Sequence, residues 1–323
     1  MNTNGCGRII AIIGLVSGCI AIFVFFTGLQ TFRDVWCTVF VCPATGTPPP
    51  PPSSKTPDPV TPQASKTGLP PQTVRAPVEP QVTLARQSIE YIQLGNSAGG
   101  RSIRGVHVGN SQASAVVIVG SIEGDQANTR YPIEDMINEY DRNLNSLPEG
   151  GELYLFPTLN PDGNANTSRY NAHGVDLNRN WGTYNWRSDP AVPGHSNGLP
   201  GAGGQYPFSE PETIVLRDWL LNLRNSKQAV YLIVIHASVK INRGQVLPGY
   251  TRLGVESKSA QVASLLSSQL GYDYSTTWEY ETTGEAIGWA AENSISAVDL
   301  VFVANQAIQP SDLQSIYETL LRQ

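Results

Sequence analysis

VVIVGSIEGDQ, Val116 to Gln126, decides how the fold is read. β-branched apolar residues climb to Gly120, and two carboxylates and an amide follow at Glu123, Asp125 and Gln126. Such a run predicts a strand buried on both faces that ends in a turn crowded with polar side chains. Strands of this kind belong to parallel sheets, and α/β proteins gather their ligands at the ends of parallel strands.

Working outward, Val106–Val108, Glu152–Phe156 (ELYLF), Val230–His236 (VYLIVIH) and Ala297–Val303 (AVDLVFV) predict further buried strands. Amphipathic helices lie between them. Ile133, Met136, Ile137, Tyr140 and Leu144 share one helical face, and Leu216, Trp219, Leu220 and Leu223 share another. The second helix is expected to open on a capping box, Ser209-Glu210-Pro211-Glu212, with Ser209 as the cap. This alternation predicts an α/β domain over residues 82–323: a mixed, mostly parallel sheet flanked by helices on both faces.

The N-terminal quarter has a different texture. After a short segment of residues 1–8, Ile9 to Thr27 is uncharged and long enough for one bilayer crossing as a helix. Arg8 before it favours a cytoplasmic N-terminus and an extracytoplasmic C-terminal domain in a single-pass membrane protein. Two alternatives stay open: a lipoprotein processed at Val16-Ser17-Gly18-Cys19, and secretion after signal cleavage. All three place the body of the chain outside the cytoplasm. Residues 28–81 hold Cys37 and Cys42, whose pairing is open, and then the proline-rich run Pro43 to Pro80. That run cannot bury enough surface to fold and is expected to act as a partly stiff spacer. All four cysteines fall in the first 42 residues, so the rest of the chain has no disulfide or thiolate metal site. A net charge of -6 with no basic stripe argues against a nucleic-acid partner.

LNPDGNANTSRYNAHGVDLNRNW, Leu159 to Trp181, has little periodicity and many turn formers, and a loop this polar on a rigid sheet generally binds something. Arg169 and Arg179, with Asn178 beside the second, suit a carboxylate, because a guanidinium matches two carboxylate oxygens with paired donors. The alternative is that these arginines are ion-paired internally, to Asp176 or Asp189.

These motifs, in order, resemble the zinc carboxypeptidases of the carboxypeptidase A type. The resemblance covers about Val82 to Leu321. It runs through GGRSIRGVHVG (Gly99–Gly109), VVIVGSIEGDQ, LNPDG, SRYNAHGVDLNRNW (Ser168–Trp181), YPFSEPET (Tyr206–Thr213), the strand ending at His236 and YETTGEAIGW (Tyr280–Trp289). It implies a His₂Glu zinc site whose first histidine falls on Glu123, whose glutamate falls on Gln126 and whose second histidine is His236. The family's general base falls on Val301, or on Phe302 if the register shifts by one. The resemblance thus implies degenerate metal positions and no catalytic residue. Neutral amide oxygens are weak donors to zinc, and one imidazole is lost. Glu123, Gln126 and His236 are expected to satisfy one another as a hydrogen-bonded trio without a metal. Glu281, Glu285 and Asp299 are the acids available to replace the base, and the two glutamates read as solvated loop charges.

The binding half matches better. By resemblance, Arg169, Asn178 and Arg179 hold a substrate's C-terminal carboxylate, Tyr280 closes over it, and Ile287 and Asp299 lie near the side-chain pocket. His107, His173 and His195 read as ordinary surface or loop residues. The expected function is a membrane-anchored, extracytoplasmic pseudoenzyme that binds peptide C-termini without hydrolysis and carries no cofactor. Two alternatives remain: an active metallocarboxypeptidase using zinc with unusual ligands, and a structural or interaction domain with a vestigial site.

Overall fold

The computed structural model describes residues 89–109, 113–143, 151–277, 281–306 and 308–323, and the backbone of three N-terminal strands. The chain divides into two compact units, Met1–Pro77 and Val78–Gln323. In the first unit β1 (Arg8–Val16) pairs antiparallel with β2 (Cys19–Thr27), which pairs with β3 (Thr38–Val41). The described parts of the apolar run, residues 9–16 and 19–27, are therefore paired strands rather than the expected single helix. Its isoleucines and valines are β-branched, a composition that suits strands. No helix among the described residues is long and apolar enough to cross a membrane. Cys37, Cys42 and the proline-rich run lie outside the described residues.

The second unit is built on one eight-stranded sheet. Its strands are β4 (Ile89–Asn96), β5 (Ser102–Gly109), β6 (Ser114–Val119), β7 (Glu152–Phe156), β8 (Ala229–Ser238), β9 (Gln245–Pro248), β12 (Asp273–Tyr274) and β13 (Ser296–Val303). A separate small hairpin joins β10 (Tyr250–Thr251) to β11 (Gly254–Val255). The order across the sheet is β12-β9-β13-β8-β6-β7-β5-β4. The four central strands, β13, β8, β6 and β7, run parallel, and β9, β5 and β4 join antiparallel. Among the described residues the α-helices are α1 (Tyr131–Arg142), α2 (Pro161–Asn166), α3 (Pro211–Ser226), α4 (Ser257–Leu270), α5 (Ala286–Glu292) and α6 (Pro310–Leu321).

Alternation along the strands builds two cores, since successive side chains point to opposite faces. Val116 and Ile118 of β6 join Val298, Leu300 and Phe302 of β13 under α1, α4 and α6. Val117 and Val119 face the other way with Leu232 and Val234 of β8, and pack against α3 and α5. Ile133, Met136 and Tyr140 bury the face foreseen for α1, whereas Leu144 lies outside the described residues.

The capping box differs from expectation. Helix α3 starts at Pro211 with Glu210 as its cap residue, and Glu210 makes no side-chain cap bond. Proline at the first helical position fixes the start, because its backbone angle already suits the helix and it has no N–H to satisfy. Ser209 Oγ instead donates to Glu210 Oε1 at 2.6 Å, and Glu212 Oε1 accepts from the Ala98 amide at 3.0 Å.

Candidate functional site

The parallel strands β6, β8 and β13 end on one side of the sheet, and a cavity of about 770 Å³ opens there. Glu123, Gln126, Arg169, Arg179, His236 and Glu285 are among its lining residues. The turn after β6 delivers Glu123. Gly120 donates its amide to Phe156 O at 2.9 Å, and Ser121 follows with φ of 42°, a conformation rare for a residue with a side chain. Thr129 Oγ1 holds the Ser121 amide at 2.7 Å, and Asn164 Oδ1 accepts from the Ser121 hydroxyl at 2.8 Å.

His236 lies at the centre, 2% exposed. Its Nδ1 is 2.8 Å from Glu123 Oε2, and its Nε2 is 3.0 Å from Asp299 Oδ1. Burial alone would favour the neutral ring. The two carboxylates outweigh it and push the imidazolium pKa up to about 10. Burial alone would likewise raise the Glu123 carboxyl, but His236, Arg169 and Arg179 hold it well below its ordinary value. Glu123 Oε1 accepts from Arg169 Nη2 at 3.1 Å and from Asn178 Nδ2 at 3.4 Å.

The cluster around His236 is not the expected trio. Gln126 does not join it: its Oε1 accepts from the Ala237 amide at 2.8 Å and so ties the β6 turn to β8. Asp299 takes the third place. Strand alternation puts Asp299 on the Val301 face, but it is fully buried against His236 and is absent from the cavity lining, as is Ile287. Ile287 packs in the core under α5. The side-chain pocket anticipated around these two residues thus does not include them. Of the two registers considered on β13, Val301 lines the cavity, while Phe302 packs into the opposite core.

The arginines are engaged internally. Arg169 Nε donates to Asp176 Oδ2 at 2.6 Å while its Nη2 reaches Glu123. Arg179 Nη1 donates to Asn178 O at 2.7 Å and lies 3.5 Å from Glu285 Oε1. Asp189 pairs with Arg187 instead. Glu285 corrects the sequence reading outright, being 1% exposed where a solvated loop charge was expected. Tyr250 OH donates to its Oε2 at 3.1 Å. Burial pushes the Glu285 carboxyl up to about 7, against the pull of Arg179. Asn178 Oδ1 accepts the Ala286 amide at 3.1 Å, which fixes the first turn of α5 beside Arg179. Glu281 is exposed, and Tyr280 lies outside the described residues.

Sequence reasoning missed Tyr250, which reaches Glu285, and Lys240, which lines the cavity. Both sit on short segments flanking β9 and carry no motif. Of the remaining histidines, His173 Nδ1 is 2.8 Å from Glu210 Oε2, and His195 is an exposed loop residue. His107 lies on β5, stacked on Tyr154 at 4.5 Å.

The donors present do not fit zinc. Both nitrogens of His236 face carboxylates, both oxygens of Glu123 are bonded, and Gln126 spends its carbonyl oxygen on a backbone amide. The Arg169 guanidinium beside Glu123 places positive charge where a dication would need to approach. Among the described residues no group of three or more His, Cys, Asp or Glu is arranged to hold a metal.

A single mixed sheet with helices on both faces and its cavity at the carboxyl ends of the central strands is an open-sheet α/β domain. The zinc carboxypeptidase profile matches residues 82–298, and the chain belongs to that family. A zinc carboxypeptidase of Simulium vittatum is 25% identical over 254 residues, which are 70% of this chain and 80% of that protein. A protein of Ajellomyces capsulatus described as inactive metallocarboxypeptidase ECM14 is 26% identical over 172 residues, 45% of this chain and 28% of that one. The carboxypeptidase A structure from Helicoverpa armigera aligns with a TM-score of 0.55 at 20% identity, over 72% of this chain and 66% of that chain. At that identity the likeness concerns the fold alone.

Proposed function

We propose that this domain is a metal-free member of the zinc carboxypeptidase family that binds peptide ends in its cavity without hydrolysing them. The observation that supports this reading is His236, whose two ring nitrogens both face carboxylates, in a site where the base position carries Val301. A side chain of valine cannot take a proton from water, and the three acids around His236 and Arg179 are committed: Glu123 and Asp299 to His236, Glu285 to Arg179. The existence of a relative described as inactive supports the same reading. Ligands of this class are peptides with a free C-terminal carboxylate, including secreted peptides and cell-wall stem peptides.

The test is metal analysis and peptide digestion with the full chain in detergent. The expected result is substoichiometric zinc and no release of C-terminal amino acids above background. One tightly held zinc per chain together with trimming would establish the active alternative. One observation favours a different reading, a structural domain with a vestigial site: both guanidiniums already face carboxylates of the chain itself. Failure to bind any peptide would support that reading.

Membrane attachment through residues 9–27 is part of the proposal, supported by nineteen consecutive uncharged positions. Protease added outside intact cells is expected to release a fragment that begins between Pro43 and Pro80. A fully protected chain would rule out this topology.

A further inference from the structure

Glu285, which reads from the sequence as a solvated loop charge, lines the cavity. It stands immediately before α5 in the cavity wall, 1% exposed, with Oε1 3.5 Å from Arg179 Nη1 and Oε2 accepting from Tyr250 OH at 3.1 Å. Burying a carboxylate is costly unless a cation and hydrogen bonds compensate it, and Arg179 and Tyr250 provide these. A peptide carboxylate needing Arg179 would meet a carboxylate already there.

We propose that Glu285 is a resident ligand: its carboxylate occupies the seat beside Arg179 that an incoming α-carboxylate requires, so a peptide end enters only as Glu285 is neutralised. This rests on the peptide-binding reading above and adds a specificity determinant to it. Two anions cannot share one buried guanidinium at little cost, because like charges a few ångströms apart in a site shielded from water repel strongly. Entry of the ligand is therefore coupled to uptake of one proton by Glu285. The groups that face this carboxyl are Arg179 from the turn at 177–179, Tyr250 from β10, Thr282 from its own approach and Asp299 from β13. Burial raises its pKa, Arg179 lowers it and Asp299 raises it, and the balance at about 7 places the exchange in the neutral range.

The experiment is calorimetric titration of the full chain in detergent with N-acetyl-Gly-Gly-Phe and with its C-terminal amide, from about pH 5.5 to about pH 9, a range that brackets the carboxyl's titration. For the free acid, affinity is expected to be flat below about pH 7 and to fall about tenfold per pH unit above it, the slope for one linked proton. The amide, which brings no second anion, is expected to bind with no such slope. Glu285→Gln removes the titrating group, and its affinity for the acid is expected to be independent of pH. At about pH 8.5 it should exceed that of the unmodified protein by roughly tenfold or more. Tyr250→Phe keeps the charge of the site but removes the hydroxyl that favours the ionised carboxylate, so the break in the profile moves to higher pH. Binding of the acid with a flat profile in the unmodified protein, or an unmoved break in Tyr250→Phe, overturns the resident-ligand role and leaves the peptide-binding reading standing. Absence of acid binding to all three proteins at every pH overturns both.

Discussion

Replacing His236 with alanine is expected to destabilise the domain by about 3–5 kcal/mol, the range for removing one partner from a buried ion pair. The side chain lies between Glu123 and Asp299, each 3% exposed or less, and its imidazolium is the cation they share. Without it two carboxylates remain in the interior. Glu123 keeps Arg169 and Asn178, whereas Asp299 loses its hydrogen bond, and its Oδ2 already lacks one. Asp299 is thus expected to become protonated in the variant, at a cost that grows as pH rises. In the unmodified protein the raised histidine pKa contributes stability that is fully present below about 6.5, the unfolded value, and is lost as pH rises through about 10. The charged ring's contribution is therefore expected to be largest near about pH 6 and smaller at about pH 10, so the unmodified protein itself should lose stability across that range. Denaturant titration of the unmodified protein at both values measures it. Unchanged stability would mean that the ring contributes packing and not charge.

The cation and its partners illustrate what sequence can and cannot disclose. The strands were legible because β6, β8 and β13 are nearly unbroken apolar runs, the signature of burial on both faces. Edge strand β4, IEYIQLGN, was not, since it is half exposed and mixes polar with apolar residues. The short strands β9 and β12 carry too few residues to show a period. Within the site, strand alternation correctly joined Asp299 to Val301 on one face. That Asp299 reaches His236 instead depends on the parallel register of β13 against β8, where Val301 lies opposite His236 and Asp299 opposite Val234. No local pattern encodes this register. Glu285 was misjudged because a charge after a glycine turn ordinarily reads as solvated. Its burial follows from distant residues, Arg179 and Tyr250, that come to it only in the folded chain. Arg169 had two readings, clamp or internal ion pair, and the short bond to Asp176 realises the second.

The double variant Glu123→His, Gln126→Glu is expected to turn this polar cluster into a zinc site whose metal is worth several kcal/mol of stability. It supplies two imidazoles and a carboxylate at the positions the family resemblance assigns to ligands, and two nitrogens with one oxygen suit zinc. The surroundings already favour it in one respect: Asp299 on His236 Nε2 is the kind of outer carboxylate that orients a ligating histidine and raises its basicity. They oppose it in another, because Arg169 and Asn178 lose their shared acceptor Glu123 Oε1 and a cation is left close to the new imidazole. The metal-free double variant should therefore be less stable than the unmodified chain. Zinc in thousandfold excess over its dissociation constant should then return about 4 kcal/mol, whereas the unmodified chain should gain nothing measurable. Neither single change should suffice. Glu123→His alone leaves an amide as the third donor, and Gln126→Glu alone keeps Glu123 bonded to both His236 and Arg169. Thermal unfolding with zinc and with chelator, beside metal content after dialysis, reads all four proteins. A double variant that stays metal-free would point to Arg169 as the remaining obstacle, because its bond to Asp176 holds the guanidinium in the cavity wall when Glu123 is gone. Zinc-dependent stabilisation of the unmodified chain would contradict the charge arrangement around His236 on which the metal-free reading depends.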